Sequence, residues 1–109
     1  MHEYERLRNK IRLYVSSIEP NLSILTRLGI PIHKGGFIRV RIDDRTPSCK
    51  INKNGSFHDY GTGTHYSDIV SLLYDGFHAF NTLTETIQWL CGELNIEFNI
   101  PERRIKCLY

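Results

Sequence analysis

Residues 48–60, SCKINKNGSFHDY, constrain the fold more than any other stretch of the chain. Two short runs flank Asn54-Gly55, a dipeptide that suits the type I′ turn of a β-hairpin. Alternation along the first run sends Cys49 and Ile51 to one face and Lys50 and Asn52 to the other. Upstream, FIRVRI alternates as strictly, with Ile38, Val40 and Ile42 facing a core and Phe37, Arg39 and Arg41 facing away. The chain is therefore expected to build a small antiparallel sheet.

Helical patterns lie on either side of it. Residues 3–17 carry Leu7, Ile11, Tyr14 and Val15 at spacings of three to four, and Glu19-Pro20 is expected to end that helix. Asn21 is placed as the cap of a second, short helix bearing Leu22, Ile24, Leu25 and Leu28, closed by Gly29. After the hairpin, YGTGTHY reads as a loop, and Ser67, with Asp68, reads as the cap of a helix with Ile69, Val70, Leu72 and Leu73 as its packing residues. A last helix is expected from about Thr82 to Asn95, followed by a short strand, IEFNI, and a basic tail, ERRIKCLY, after Pro101. The expected class is α+β, a single domain over 1–109. It divides into a helical lead-in at 1–30, a ribbon at 35–66, helices at 67–95, and a strand and tail at 96–109.

Length allows one core and not two. At 109 residues, with 40% hydrophobic and 24% charged side chains, the composition is that of an ordinary globular chain. No apolar run approaches the roughly 20 residues that span a bilayer, so no membrane role is expected. The opening MHEYERLRNK has no apolar segment, so no secretion signal is expected and the cytoplasm is the expected compartment. Cys49, Cys91 and Cys107 form no Cys-x-x-Cys pair and suit reduced thiols there. A net charge of +2 diagnoses nothing by itself, but its distribution is uneven. Lys34, Arg39, Arg41, Arg45, Lys50 and Lys53 crowd the ribbon segment, opposed there by Asp43 and Asp44.

Catalytic and metal chemistry find little to use. Zinc needs about four converging Cys, His or carboxylate ligands, and the five histidines and three cysteines supply no closely spaced pairs. His58 and His65 flank the loop and form at most a weak two-ligand site. Asp43-Asp44 read as a solvated turn, Glu85 and Glu93 as the polar face of a helix, and Cys49 as a small buried hydrophobe. No nucleophile, base and orienting group can be assembled, so no enzyme is expected. Gly61 and Gly63 precede a helix but lack the Gly-Lys-Ser/Thr ending of a triphosphate loop; they read as a tight knuckle. What remains is a face where basic and aromatic residues interleave, the kind of surface on which single-stranded nucleic acid is held by phosphate contacts and base stacking.

The order DDRTPSCKIN, SFHDYGTGTHYSDIV, TLTETIQWLCGEL resembles the zinc-binding domain at the N-terminus of bacterial replicative primases. In that family a Cys-x-x-His knuckle runs into a Thr-Pro-Ser step, an Asn-bearing hairpin, a glycine-containing Cys-x-x-Cys knuckle and a helix beginning near an aspartate. The likeness covers about half the chain specifically, and NLSILTRLGIPIHKGGFIRV fits the preceding segment more loosely. The family's metal positions fall on Arg39, Ile42, Asp59 and Thr62, which form no zinc ligand set. The chain thus looks like the metal-free variant of this domain found in replication proteins of mobile elements, and no cofactor is expected. Ile42, Tyr60 and Trp89 are expected to supply the apolar packing that replaces the metal staple.

The resemblance implies a small, non-catalytic, zinc-ribbon-like sheet without metal, flanked by N- and C-terminal helices, that binds single-stranded DNA during replication priming. It implies an accessory subunit of a separately encoded primase or DNA polymerase of a mobile element or phage, with a replicative helicase as a further partner. Arg39, Arg41, Lys50 and Lys53 are expected to meet phosphates, and Phe37, Phe57 and Tyr60 to stack or pack. The alternative is a protein-protein module that docks a polymerase or helicase, through this face or the tail ERRIKCLY, without touching DNA.

Overall fold

The computed structural model describes residues 2–40 and 46–98. Its architecture is α+β: helices precede and follow a four-stranded antiparallel sheet with strands in sequential order. Helix α1 (His2–Tyr14) puts Leu7 and Ile11 on one stripe, continued by Val15 just beyond its end, and all three are buried. Helix α2 (Ile18–Arg27) begins earlier than the sequence suggests, with Pro20 inside its first turn. A proline is tolerated there because the first N–H groups of a helix have no intrahelical acceptor to lose. Asn21 is therefore not a cap. It is buried within α2, and its Nδ2 donates to the carbonyls of Val15 (2.6 Å) and Ser17 (2.7 Å), which closes the corner between the two helices.

The sheet comprises β1 (Phe37–Ile38), β2 (Cys49–Ile51), β3 (Phe57–Asp59) and β4 (Thr64–Tyr66). Strand β1 is shorter than FIRVRI implies, although Val40 beyond it still turns inward and is buried. Residues 41–45, with Arg41, Ile42, Asp43 and Asp44, lie outside the described residues. The hairpin between β2 and β3 is not a two-residue type I′ turn. The N–H of Gly55 donates to Asn52 O (3.0 Å), and that of Asn52 to Ser56 O (2.7 Å), which leaves a three-residue loop of Lys53, Asn54 and Gly55. Gly55 has φ +91°, while Asn54 has no positive φ, the pattern of a type I turn followed by a glycine bulge. Asn54 serves through its side chain instead, with Oδ1 accepting from the N–H (3.0 Å) and hydroxyl (2.7 Å) of Ser56.

The segment read as a loop, YGTGTHY, contains a strand: β4 pairs with β3 through Phe57–Tyr66, His58–His65 and Asp59–Thr64. The next helix is capped by Asp68 rather than Ser67, its Oδ1 accepting from Ser71 N–H (2.9 Å). Helix α3 (Ile69–Ser71) runs into a wider π-helical turn over Leu72–Gly76, and Ile69, Val70, Leu72 and Leu73 are all buried. Helix α4 (Leu83–Leu94) opens with a Thr82/Glu85 capping pair, in which Thr82 Oγ1 accepts from Glu85 N–H and Glu85 Oε1 accepts from Asn81 N–H, both at 3.1 Å. Asn95 closes it in the left-handed conformation. Residues 96–98 form no strand; the remainder of the expected terminal strand and the tail lie outside the described residues.

One core joins these pieces. It takes Leu7, Ile11, Ile24 and Leu25 from the first helices, Ile38, Cys49, Ile51 and Phe57 from the sheet, and Ile87, Leu90 and Cys91 from α4, which lies against α1. The buried Cys91 thiol is pushed up from its ordinary pKa by burial, partly offset by Lys10. Among the described residues no helix is long and apolar enough to cross a membrane.

Candidate nucleic-acid interface

The core closes the inner face of the sheet except at Thr64, where β4 begins, and the outer face meets solvent. Register makes that face a line. Phe37 pairs with Lys50, Lys50 with His58, and His58 with His65, one residue from each strand. Their inward neighbours Ile38, Cys49, Ile51, Phe57, Asp59 and Tyr66 are all buried, which fixes these four as outward. The Lys50 ammonium lies 5.1 Å from the centroid of the Phe37 ring, a cation–π contact. The rings of His58 and His65 stand 6.3 Å apart, and Tyr60 meets His58 edge-on at 4.6 Å. Tyr60 is 65% exposed. Beside Phe37 an open pocket of about 480 Å³ is lined by His33, Lys34, Phe37, Thr46 and Pro47.

The expected site residues divide unequally. Phe37 and Lys50 are brought together on the outer face, and Arg39 is exposed on the segment leaving β1. Lys53 is exposed at the tip of the hairpin loop, beyond the row. Phe57 is not a stacking residue: it is wholly buried on the inner face, because the three-residue loop puts it opposite Ile51. Tyr60 is the reverse case. Expected among the residues that replace a metal staple, it lies in solvent with its ring free of the core. Arg41 lies outside the described residues. Sequence reading underrated His58 and His65. Their shared face follows from pairing β3 with β4, and the glycines of YGTGTHY hid that strand.

Of the positions that carry metal ligands in the resembled family, Asp59 and Thr62 lie in a hydrogen-bonded knuckle, and Ile42 lies outside the described residues. Asp59 is fully buried, and its Oδ1 accepts from Ser48 Oγ (2.8 Å) and Gly61 N–H (2.9 Å). Tyr60 N–H donates to Ser48 O (2.9 Å), and Gly63 N–H to Asp59 O (2.7 Å). Thr62 is exposed and bonds through its hydroxyl to that of Thr64. Among the described residues no group of three or more His, Cys, Asp or Glu side chains is placed to hold a metal ion.

Where the ribbon ends, Asp68 fastens it to α1. Its carboxylate accepts from Arg8 Nε (2.9 Å), Arg8 Nη2 (3.1 Å) and Arg12 Nε (2.6 Å) while capping α3. Burial pushes the Asp68 carboxyl up, but the bonds from Arg8, Ser71 N–H and Arg12 outweigh it and hold the group below its ordinary pKa. The hydrogen bond to Asp68 raises the Arg8 guanidinium in turn, against the cost of burial. These arginines are engaged in holding the fold. Compared with known proteins, the chain matches no family model, no curated protein and no solved structure.

Proposed function

We propose that this protein is a non-catalytic, single-stranded-DNA-binding accessory subunit that serves a separately encoded primase or polymerase in replication priming, in the cytoplasm. The observation that carries this reading is the outer sheet face, where Lys50 and the Phe37 ring lie in register with exposed Arg39 and Tyr60 nearby. Cations on such a face neutralise phosphates and release their counterions, and rings accept bases at about 1 to 3 kcal/mol each. The likeness of DDRTPSCKIN and SFHDYGTGTHYSDIV to the primase ribbon supplies the context of priming and of a mobile element or phage. A base stacking on the Phe37 face that Lys50 covers must displace the ammonium, so Tyr60 is the more accessible platform.

Salt titration tests this. Arg39→Ala with Lys50→Ala should weaken binding of single-stranded DNA and flatten the slope of log K against log salt by about 0.7 for each phosphate that is no longer neutralised. Tyr60→Ala should weaken binding with the slope unchanged, since stacking releases no counterions. Unaltered affinity in the double variant overturns the reading.

A docking module for a polymerase or helicase is the second reading, favoured by one observation. Leu13 (76% exposed), Tyr14 (56%) and Ile18 (38%) present apolar side chains together at the α1–α2 corner. Binding to a partner through that corner would depend little on salt, which separates the two readings.

A further inference from the structure

The outer face is more than a patch of charge, because its residues form a row with direction. Phe37, Lys50, His58 and His65 are successive cross-strand partners, so the line joining them runs perpendicular to the strands. Three inter-strand steps of about 4.8 Å give it a length of roughly 14 Å. At about 3.4 Å per phosphate for a stacked strand, that length faces about four phosphates. One end opens into the pocket walled by Phe37, Lys34 and His33. The other ends at the exposed His65 ring.

We propose that a single strand of nucleic acid crosses the ribbon along this row, entering at the pocket beside Phe37 and passing over Lys50, with His58 and His65 as phosphate contacts at the far end. The path rests on the reading of this face as a single-strand surface and adds to it a route and two residues. Charge along the row supports it. Lys50 faces His58 from β2, Tyr60 faces it from the turn after β3, and His65 faces it from β4. The carboxylate beside His58 in sequence, Asp59, points to the opposite face and is buried there. No described outward position of the four strands holds a carboxylate. An imidazole gains its charge between about pH 8 and about pH 5. A phosphate contact made through an imidazole is therefore read out as a salt slope that steepens on the acid side of neutrality.

The test uses a short labelled oligothymidylate, whose bases do not titrate in this range, at about pH 5.5 and about pH 8. The loss of affinity between about 50 and about 200 mM salt should be up to about sevenfold greater at the lower pH, since two further phosphate contacts steepen the slope by about 1.4. His58→Gln with His65→Gln should abolish that difference in salt dependence between the two pH values. The comparison within the unaltered protein needs no variant, and circular dichroism at both pH values checks folding. Binding with a pH-independent salt slope overturns the path and leaves the single-strand reading standing. A pH difference that persists in the double variant overturns it too, and moves the effect to another group such as His33. No binding at either pH removes both.

Discussion

Asp59 and Ser48, eleven positions apart in sequence, are joined by a hydrogen bond of 2.8 Å between Oδ1 and the hydroxyl. The same carboxylate oxygen accepts from Gly61 N–H, so one buried side chain ties the strand entering the hairpin to the knuckle leaving it. A metal would make a comparable cross-connection in a ribbon, with ligands drawn from both knuckles. Here the connection is a carboxylate embedded in a satisfied polar network. Its removal should destabilise: Asp59→Ala takes this acceptor from at least the Ser48 hydroxyl and the Gly61 N–H, two part-buried bonds worth about 0.5 to 1.5 kcal/mol each. Asp59→Asn, which keeps an acceptor, should cost less. Chemical denaturation of the two variants measures the difference, and equal midpoints for Asp59→Ala and the parent protein would show that this network does not hold the knuckles.

Metal independence follows from the same geometry. Asp59 is already engaged, and Thr62 spends its hydroxyl on Thr64. The purified protein should carry no stoichiometric zinc and should melt at the same temperature with and without a chelator. Elemental analysis finding about one zinc per chain, as a structural site requires, would contradict this.

Acid should act through Asp68. Its folded-state pKa lies below the ordinary carboxyl value because Arg8, Ser71 N–H and Arg12 favour the charged form over the cost of burial. A depressed carboxyl contributes stability that is fully present above its unfolded pKa of about 3.9, and that is lost as pH falls through the folded value. Stability should therefore drop below about pH 4. Asp68→Ala should cost about 2 to 4 kcal/mol at neutral pH, from the missing cap and the stranded arginines. The variant should also show a shallower acid dependence. An acid limb of the same steepness in the variant and the parent would assign the effect elsewhere.

Gly55 is where the hairpin meets α1. A Cβ built there would approach Val15 O, a backbone atom, at 2.7 Å, and φ is +91°. Gly55→Ala thus adds a clash with a carbonyl that cannot swing aside to the strain of a positive φ, and should destabilise by more than about 1 kcal/mol. Gly63, also at positive φ, has open space around its Cβ position, so Gly63→Ala carries only the backbone strain and should cost less. Equal melting temperatures for the two variants would show that the approach to Val15 does not matter.

Periodicity made the major elements legible, because burial imposes it. Leu7, Ile11, Ile87, Leu90 and Cys91 lie where helical spacing puts them, and Cys49 and Ile51 turn inward where alternation puts them. Local chemistry that two solutions satisfy was harder to read. Asn54-Gly55 serves a two-residue turn or, with Lys53, a three-residue loop, and the pairing of Ile51 with Phe57 decided for the latter. Strand β4 was hidden because Thr64 and His65 are exposed and only Tyr66 is buried, so three residues carry no detectable alternation. The candidate site suffered accordingly: Phe37 and Lys50 could be seen as partners, whereas the place of His65 beside His58 depends on a pairing across that hidden strand.

Two aromatic residues show what the core depends on. Trp89, expected to be largely buried as part of the packing that replaces a metal, is only half-buried on α4. It tilts against Phe80 with ring centroids 5.7 Å apart. Phe57, expected to stack or pack, is wholly enclosed. Their energetic ranks should follow burial and not size. Phe57→Ala should cost about 3 to 5 kcal/mol, a large share of the roughly 5 to 15 kcal/mol that holds a domain of this size together. Trp89→Ala should cost about 2 kcal/mol, because part of its ring is already in water and the packing on Phe80 contributes about 1 kcal/mol. At about 4 to 8 °C per kcal/mol, the tryptophan variant should stay folded with a clearly lowered melting temperature. The phenylalanine variant should be close to unfolding at ambient temperature. A tryptophan variant that is the less stable of the two would mean that the helical edge, and not the inner face of the sheet, is the centre of this core.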